Sequence, residues 1–211
     1  MTDVNVVSVV MPERGVFLVR CPDSISIDEC QPGRKAIVML DYGLDSGEIV
    51  SAAQYDPAIH GDRVPGYRLD RFLQDGDAER IAENSDLADK MKSSFEETVV
   101  ADVPDFRILS ARLSFGRSRL FLRYISERRR PDLSRATSEM KSLFNVSVNA
   151  WQVGPRDEVA CTGAIGPCGR ICCCASWQKR FPTKVNPLKN MNQAGVNGIC
   201  GRFKCCWSFE N

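Results

Sequence analysis

The residues best suited to chemistry are cysteines in the last quarter of the chain. The chain has 211 residues and ten cysteines, and eight of the ten lie in residues 161–211. Residues 166–174 and 198–206 both fit the pattern Gly-x-Cys-Gly-Arg-x-x-Cys-Cys, so one motif occurs twice. The motif places six cysteines in matched positions: Cys168, Cys173, Cys174, Cys200, Cys205 and Cys206. Cys172 is matched by Lys204, and it therefore falls outside the common set.

Clustered thiols can support three kinds of chemistry. As thiolates they can ligate an iron–sulfur cluster, hold a tetrahedral zinc ion, or form redox-active disulfides. The single histidine, His60, is far from the motif in sequence, so a metal ion here would have an all-sulfur site. Gly169 and Gly201 would let backbone amides approach sulfur, and Arg170 and Arg202 would favour thiolate over thiol. The cysteine spacing alone does not decide between an iron–sulfur cluster and zinc.

The charge distribution also sets this segment apart. The whole chain has a net charge of +1, with 28 Lys and Arg against 27 Asp and Glu. Residues 161–211 contain seven basic residues and one acid, a net charge of +6, whereas residues 1–160 carry −5. Such asymmetry predicts a polyanionic or acidic partner at the basic end, and RNA is one candidate. A zinc-stabilised nucleic-acid-binding module is therefore an alternative hypothesis, and a thiol redox protein is a further one.

The composition excludes several protein classes. Hydrophobic residues make up 43% and charged residues 26%, which is typical of a soluble globular protein. No stretch approaches the roughly 18 apolar residues that a membrane helix needs, and the first residues lack a secretory signal pattern. We therefore expect a cytoplasmic protein. No Walker-type phosphate loop or acid–base constellation occurs, so we do not expect an enzyme.

The sequence predicts an α+β fold for the part of the chain that must position the cysteines. Short β-branched runs with Gly and Pro between them predict four strands, forming a small sheet or open barrel, within residues 1–66. Residues 67–160 predict a unit of two helices on an antiparallel or mixed sheet. Its strands are expected at 109–115, 120–125 and 146–152. Residues 161–211 are expected to form an irregular, Cys-rich segment.

The two helices have apolar faces at helical spacing. The first face consists of Ala78, Ile81, Ala88, Met91, Phe95 and Val99. The second consists of Leu133, Ala136, Met140 and Leu143. Asn145 is expected to end the second helix in the left-handed conformation. Beyond it, Arg156 and Asp157 could pair with each other or brace the cysteine segment.

The duplicated motif resembles the bacterial RicT (YaaT) family, whose members carry a PSP-type domain and are labelled stage-zero sporulation proteins. Residues 152–158, Gln-Val-Gly-Pro-Arg-Asp-Glu, also fit that family's pattern of Gln-x-Gly-x-Arg-Asp. The resemblance covers most of the chain and is specific over the last 60 residues. It leads us to expect further residues beyond Asn211.

The resemblance implies a non-catalytic adaptor that acts with two small helical partners, RicA and RicF. That complex carries [4Fe–4S] clusters and works with the endoribonuclease RNase Y in messenger RNA maturation. On this chain the implied ligands are the six motif cysteines, surrounded by Gly169, Arg170, Gly201 and Arg202.

Overall fold

The computed structural model describes residues 4–12, 14–61, 65–178, 197–202 and 204, and its fold is α+β. The chain divides into two compact units. Unit 1 consists of Met1–Ser93, Arg112–Phe121 and Thr137–Asn149. Unit 2 consists of Ser94–Ala111, Leu122–Ala136 and Ala150–Asn211. The α+β class predicted from the sequence is confirmed, whereas the domain boundaries at residues 66 and 160 stay predictions.

Five strands of unit 1 form a closed barrel in the order β1-β2-β5-β3-β4. They are β1 (Asn5–Met11), β2 (Gly15–Arg20), β3 (Lys35–Leu40), β4 (Gly43–Gln54) and β5 (Arg68–Phe72). Neighbouring strands are antiparallel except β2 and β5, which are parallel. The first four strands are as predicted. The sequence does not reveal β5 because Leu69 is its one fully buried residue, set between the exposed Arg68 and Asp70.

A second sheet has the order β6-β7-β8, with β6 (Arg107–Leu113), β7 (Arg119–Ile125) and β8 (Ser147–Gln152). The accompanying helices are a short α1 (Pro57–His60), α2 (Asp75–Val100), α3 (Ser134–Phe144) and α4 (Pro155–Thr162). Among the described residues, none of these helices is long and apolar enough to cross a membrane.

The predicted faces of α2 and α3 are confirmed in their central parts and wrong at one end of each. Met91 and Phe95 of α2 are fully buried, but Ala78 and Ile81 are exposed and the polar Asn84 is buried instead. The Asn84 side-chain amide donates to the carbonyls of Ser114 and Phe115, which explains how a polar residue is tolerated there.

In α3, Ala136 and Met140 are buried, whereas Leu143 is 62% exposed because it lies in the last turn. Asn145 ends α3 with a φ of +55°, and its N–H donates to the carbonyl of Lys141. The left-handed helix end predicted from the sequence is therefore confirmed.

A buried carboxylate connects β4 with β6 inside unit 1. The Asp45 side chain is fully buried and accepts two hydrogen bonds from the Arg112 guanidinium, at 2.9 and 3.0 Å. It also accepts bonds from the Tyr42 hydroxyl at 2.7 Å and from the Phe115 N–H at 3.2 Å. These donors satisfy the buried charge, and removing its Arg112 partner would be strongly destabilising because the carboxylate would be left buried and unpaired.

Helix α4, in unit 2, leads directly into the first motif copy. Pro155 is its first residue, and Gly163, with a φ of +73°, caps its C-terminal end. Glu158 pairs with Arg107 of β6 and anchors the helix. Periodicity in the sequence does not reveal α4, because its eight residues show weak amphipathic periodicity. The proline at its start and the glycine at its end were the signals that could have found it.

Candidate functional site

The first motif copy folds into a compact loop, residues 166–170, which we call the first loop. The Gly166 N–H donates to the Arg170 carbonyl at 2.8 Å, and the Gly169 N–H donates to the Gly166 carbonyl at 3.0 Å. Ile165 and Ile171 form an antiparallel bridge on either side of it. The loop is therefore closed by backbone bonds alone and carries Cys168 near its tip.

Residues 198–202 of the second copy form a second loop, which has the same backbone geometry as the first. The Gly198 N–H donates to the Arg202 carbonyl at 2.8 Å, and the Gly201 N–H donates to the Gly198 carbonyl at 3.0 Å. Gly169 and Gly201 have φ values of +74° and +75°. Residues that carry a Cβ atom adopt this left-handed backbone region only at a cost in free energy. The turn therefore requires glycine after the first cysteine of each copy.

The residues after the first loop form further tight turns. The Cys172 N–H donates to the Ala164 carbonyl at 2.9 Å, and the Gln178 N–H donates to the Cys173 carbonyl at 2.7 Å. These bonds fix the backbone that carries Cys173 and Cys174. The matched Cys205 and Cys206 of the second copy lie outside the described residues.

The thiols fold back over their own loops. A Cβ atom placed on Gly166 would lie 3.7 Å from the sulfur atoms of both Cys168 and Cys172. A Cβ on Gly198 would lie 3.8 Å from the Cys200 sulfur. These are ordinary van der Waals distances, so the sulfur atoms lie directly beside the two glycines.

Thiols of both copies share one neighbourhood. The pKa of Cys172 is raised, first by burial and then by the nearby thiols of Cys174, Cys173, Cys200 and Cys168. Cys174 is buried, Cys172, Cys173 and Cys200 are half-buried, and Cys168 is exposed. Cys200 belongs to the second copy, so a thiol of that copy lies within electrostatic range of Cys172 in the first.

The donor chemistry fits a thiolate-bound metal centre, because soft sulfur ligands select iron–sulfur clusters or zinc. Within the part of the chain that the structure describes, no three Cys, His, Asp or Glu side chains are arranged to hold a metal ion. Four of the six predicted ligands fall in that part, and the other two, Cys205 and Cys206, do not. The described geometry thus gathers thiols without forming a complete coordination sphere.

Residues at the start of α4 lie against the segment that follows the first copy and against the last residue of the second loop. Arg156 is 5% exposed, and its Nη2 donates to the Gln178 carbonyl at 2.7 Å. A Cβ atom on Gly154 would lie 3.3 Å from Nη2 of Arg202. The structure thus bears out the interpretation that Arg156 braces the cysteine segment.

Comparison with known proteins gives one informative match. No family model matches the chain, and no solved structure matches it at a significant level. Over 192 residues the chain is 27% identical to "Stage 0 sporulation protein YaaT" of Bacillus subtilis (strain 168). The match covers 89% of this chain and 67% of that protein. This relative supports the resemblance to the YaaT/RicT family that the duplicated motif indicates.

Cys172 is the residue that comparing the two copies would pass over. The second copy has Lys204 at the matched position, so the repeat gives no reason to group Cys172 with the other thiols. The structure nevertheless places its sulfur and that of Cys168 each 3.7 Å from the same Cβ position on Gly166. Only the folded loop reveals this proximity, since it depends on the backbone turning at Gly169.

Several large apolar side chains around the loops face solvent. Ile165, Ile171, Trp177 and Ile199 are each 55–60% exposed. Arg170 and Arg202 are also exposed. The described part of the segment therefore presents a mixed apolar and basic surface beside the thiols.

Cys21 and Cys30, in unit 1, form a separate buried pair. Their sulfur atoms are 3.9 Å apart, and each residue is 2% exposed. Burial, followed by the proximity of Cys30, raises the pKa of Cys21 to about 12. Both facts indicate protonated thiols packed in a core rather than metal ligands or nucleophiles.

Proposed function

We propose that this chain belongs to the YaaT/RicT family and is a non-catalytic adaptor that binds an iron–sulfur cluster. It acts in a cytoplasmic complex that modulates messenger RNA processing by RNase Y. The observation that carries the proposal is the pair of loops with identical backbone geometry whose thiols share one neighbourhood. Two such loops form a site to which each copy contributes sulfur.

The ligands of a [4Fe–4S] cluster would come from the six motif cysteines, Cys168, Cys173, Cys174, Cys200, Cys205 and Cys206. When bound, such a cluster supplies a rigid, oxygen-sensitive junction between the segments that ligate it. The chain's own contribution is to hold the thiols on backbone-closed loops. Arg170 and Arg202 offset the negative charge of several thiolates. Zinc held by the same cysteines is the alternative cofactor.

Protein partners of the RicA and RicF type, and RNase Y, are proposed from the family resemblance. The relative's name, a stage 0 sporulation protein, is consistent with a regulatory role. The exposed Ile165, Ile171 and Ile199 around the loops support a protein–protein contact there, because apolar patches of this kind mark interaction sites.

Metal and sulfide analysis tests the proposed cofactor. The protein is purified without oxygen, alone and with candidate partners, and iron, acid-labile sulfide and zinc are quantified. We expect near-equal iron and sulfide, lost in Cys168→Ala and Cys200→Ala. Cys161→Ala is the matched control, since Cys161 is exposed and lies outside both copies. Colourless, iron-free protein in the presence of the partners would contradict the proposal, and zinc without sulfide would replace the cluster by a zinc site.

A zinc-dependent nucleic-acid-binding module is the second candidate, and the exposed Arg170 and Arg202 favour it. Binding to single-stranded RNA through these residues should weaken steeply with salt, because each neutralised phosphate releases counterions. RNA binding that is absent, or indifferent to salt and to Arg170→Ala, would eliminate this candidate. A thiol redox function would instead require turnover of a disulfide substrate that Cys173→Ser or Cys174→Ser abolishes.

A further inference from the structure

The two motif copies are 32 residues apart in sequence, yet Arg202 of the second copy and Gln178, four residues after the first copy, both lie against the start of α4. Gly154 is the residue that immediately precedes α4, and Arg156 lies in its first turn. These two residues are separated by Pro155 alone. One short stretch therefore lies against the second copy and against the residues that follow the first copy, and all the groups involved belong to unit 2.

Arg156 reaches the first copy through the backbone. Its Nη2 donates to the carbonyl of Gln178 at 2.7 Å. The N–H of the same Gln178 donates to the carbonyl of Cys173 at 2.7 Å. Arg156 as a whole is 5% exposed, so this bond is shielded from competing water. The backbone of Cys173 is thus linked to Arg156 through one intervening residue, Gln178.

Gly154 makes room for the second copy. Its backbone is extended, with φ −92° and ψ 172°, a conformation that any residue adopts. The backbone therefore does not require glycine at this position. A Cβ atom would lie 3.3 Å from Nη2 of Arg202, so the guanidinium would have to move by a few tenths of an ångström, and a larger side chain would displace it further. Arg202 is the last residue of the second loop, and its carbonyl closes that loop by accepting from Gly198.

We propose that Gly154 and Arg156 are positioning residues that set the distance between the two motif copies, and hence between their thiols. Arg156 fixes the first copy through Gln178, and Gly154 lets Arg202 seat the second copy against the same turn. The proposal deepens the proposed function because it explains how ligands from both copies could reach one centre. The distance itself belongs to the metal-free protein and can be measured without a cluster.

Thiol cross-linking measures this distance directly. Full-length, metal-free protein is treated anaerobically with dibromobimane, which fluoresces when it bridges two nearby thiols, and the linked peptides are identified by mass spectrometry. The signal is the link between Cys200 and any cysteine of the first copy. Links within the first copy, such as Cys168 to Cys172, are the internal reference. The variants are Arg156→Gln, Arg156→Lys and Gly154→Val. Gly66→Val is the matched control, because Gly66 has open space around it and no positive φ.

We expect the link between the copies to fall at least five-fold in Arg156→Gln and Gly154→Val, while the link within the first copy persists. Arg156→Lys should restore part of the signal, and Gly66→Val should behave as the parent. Adding Arg202→Ala to Gly154→Val should relieve the loss, because the group that the valine displaces is gone. The double variant also serves as the test if Gly154→Val alone does not fold.

An unchanged link between the copies in both Arg156→Gln and Gly154→Val would overturn the proposal, whatever the iron content. Equal loss in Gly66→Val would also overturn it, since the effect would then be general destabilisation. Reconstitution with iron and sulfide separates this proposal from the proposed function. If the parent protein takes up no cluster but the cross-links change as expected, the proposed cofactor fails and the positioning role stands.

Discussion

Gly169 and Gly201 occupy the same left-handed backbone conformation, with φ values of +74° and +75°. Each follows the first cysteine of its motif copy, and the N–H of each donates to the backbone carbonyl of the glycine three residues earlier. The repeat in the sequence is thus also a repeat in the structure. Two equivalent loops present Cys168 and Cys200 in equivalent positions.

Replacing either glycine by alanine should weaken metal binding. An L-residue in this backbone region costs about 1–2 kcal/mol, which corresponds to a loss of about 5- to 30-fold in affinity. Asparagine adopts this region more readily, so Gly169→Asn should lose less. Competition titration of Zn²⁺ or Cd²⁺ against a chromophoric chelator measures the change, with Gly66→Ala as the control. Equal affinities for Gly169→Ala and Gly66→Ala would show that the loop conformation does not matter.

Cys172 and Cys168 should differ in their effect on the centre although their sulfur atoms are neighbours. We expect Cys172→Ser to keep its metal because Lys204 takes that position in the second copy, whereas Cys168→Ser loses it. Iron, sulfide and zinc content distinguish the two variants. Burial raises the pKa of Cys172, so its alkylation at pH 8 in metal-free protein should be slower than that of the exposed Cys161. Loss of metal in Cys172→Ser would add a ligand that the repeat does not predict.

Removing Arg112 should destabilise unit 1 strongly. Arg112→Ala leaves the fully buried Asp45 carboxylate without its bidentate partner, which typically costs about 3–5 kcal/mol of unfolding free energy. Urea denaturation measures the loss. The control is Glu83→Ala, because Glu83 pairs with Arg117 at the surface and such pairs contribute less than about 1 kcal/mol. Similar values for both variants would mean that Asp45 is adequately held by Tyr42 and the backbone donors.

Asp77 should contribute to acid denaturation in a defined pH range. The Arg71 guanidinium, followed by the Gln74 N–H, lowers the pKa of Asp77 from 3.8 to about 2. A lowered pKa in the folded state stabilises the fold above pH 3.8, and this contribution is lost as the pH falls through about 2. Asp77→Asn should therefore lose less unfolding free energy than the parent between pH 4 and pH 2. Asp86→Asn, an exposed position on the same helix, should follow the parent curve.

The sequence predicts those parts of the fold in which apolar residues recur with a clear period. The β-branched runs of the barrel and the face formed by Met91 and Phe95 are confirmed. Asn84 could not be found in this way, because a buried amide is recognised only by its partners, the carbonyls of Ser114 and Phe115. Strand β5 has too few buried residues to show a pattern.

In the candidate site, too, the sequence predicts some relationships between residues, whereas others are visible only in the structure. The repeat identifies Cys168 and Cys200 as equivalent, and the structure gives them equivalent loops. The proximity of Cys172 to Cys168 arises from a turn, and the contact of Arg156 with Gln178 joins residues 22 apart. Neither relationship has a fixed spacing that a sequence pattern could reveal.

The contacts at Gly154 and Arg156 also bear on how freely the stretch between the copies can change. In the proposed arrangement, each copy is held against the start of α4 and not by the residues that join the copies. We therefore expect a fluorescent reporter or an affinity tag inserted between the copies, after Gln178, to leave the cross-link between Cys200 and the first copy in place.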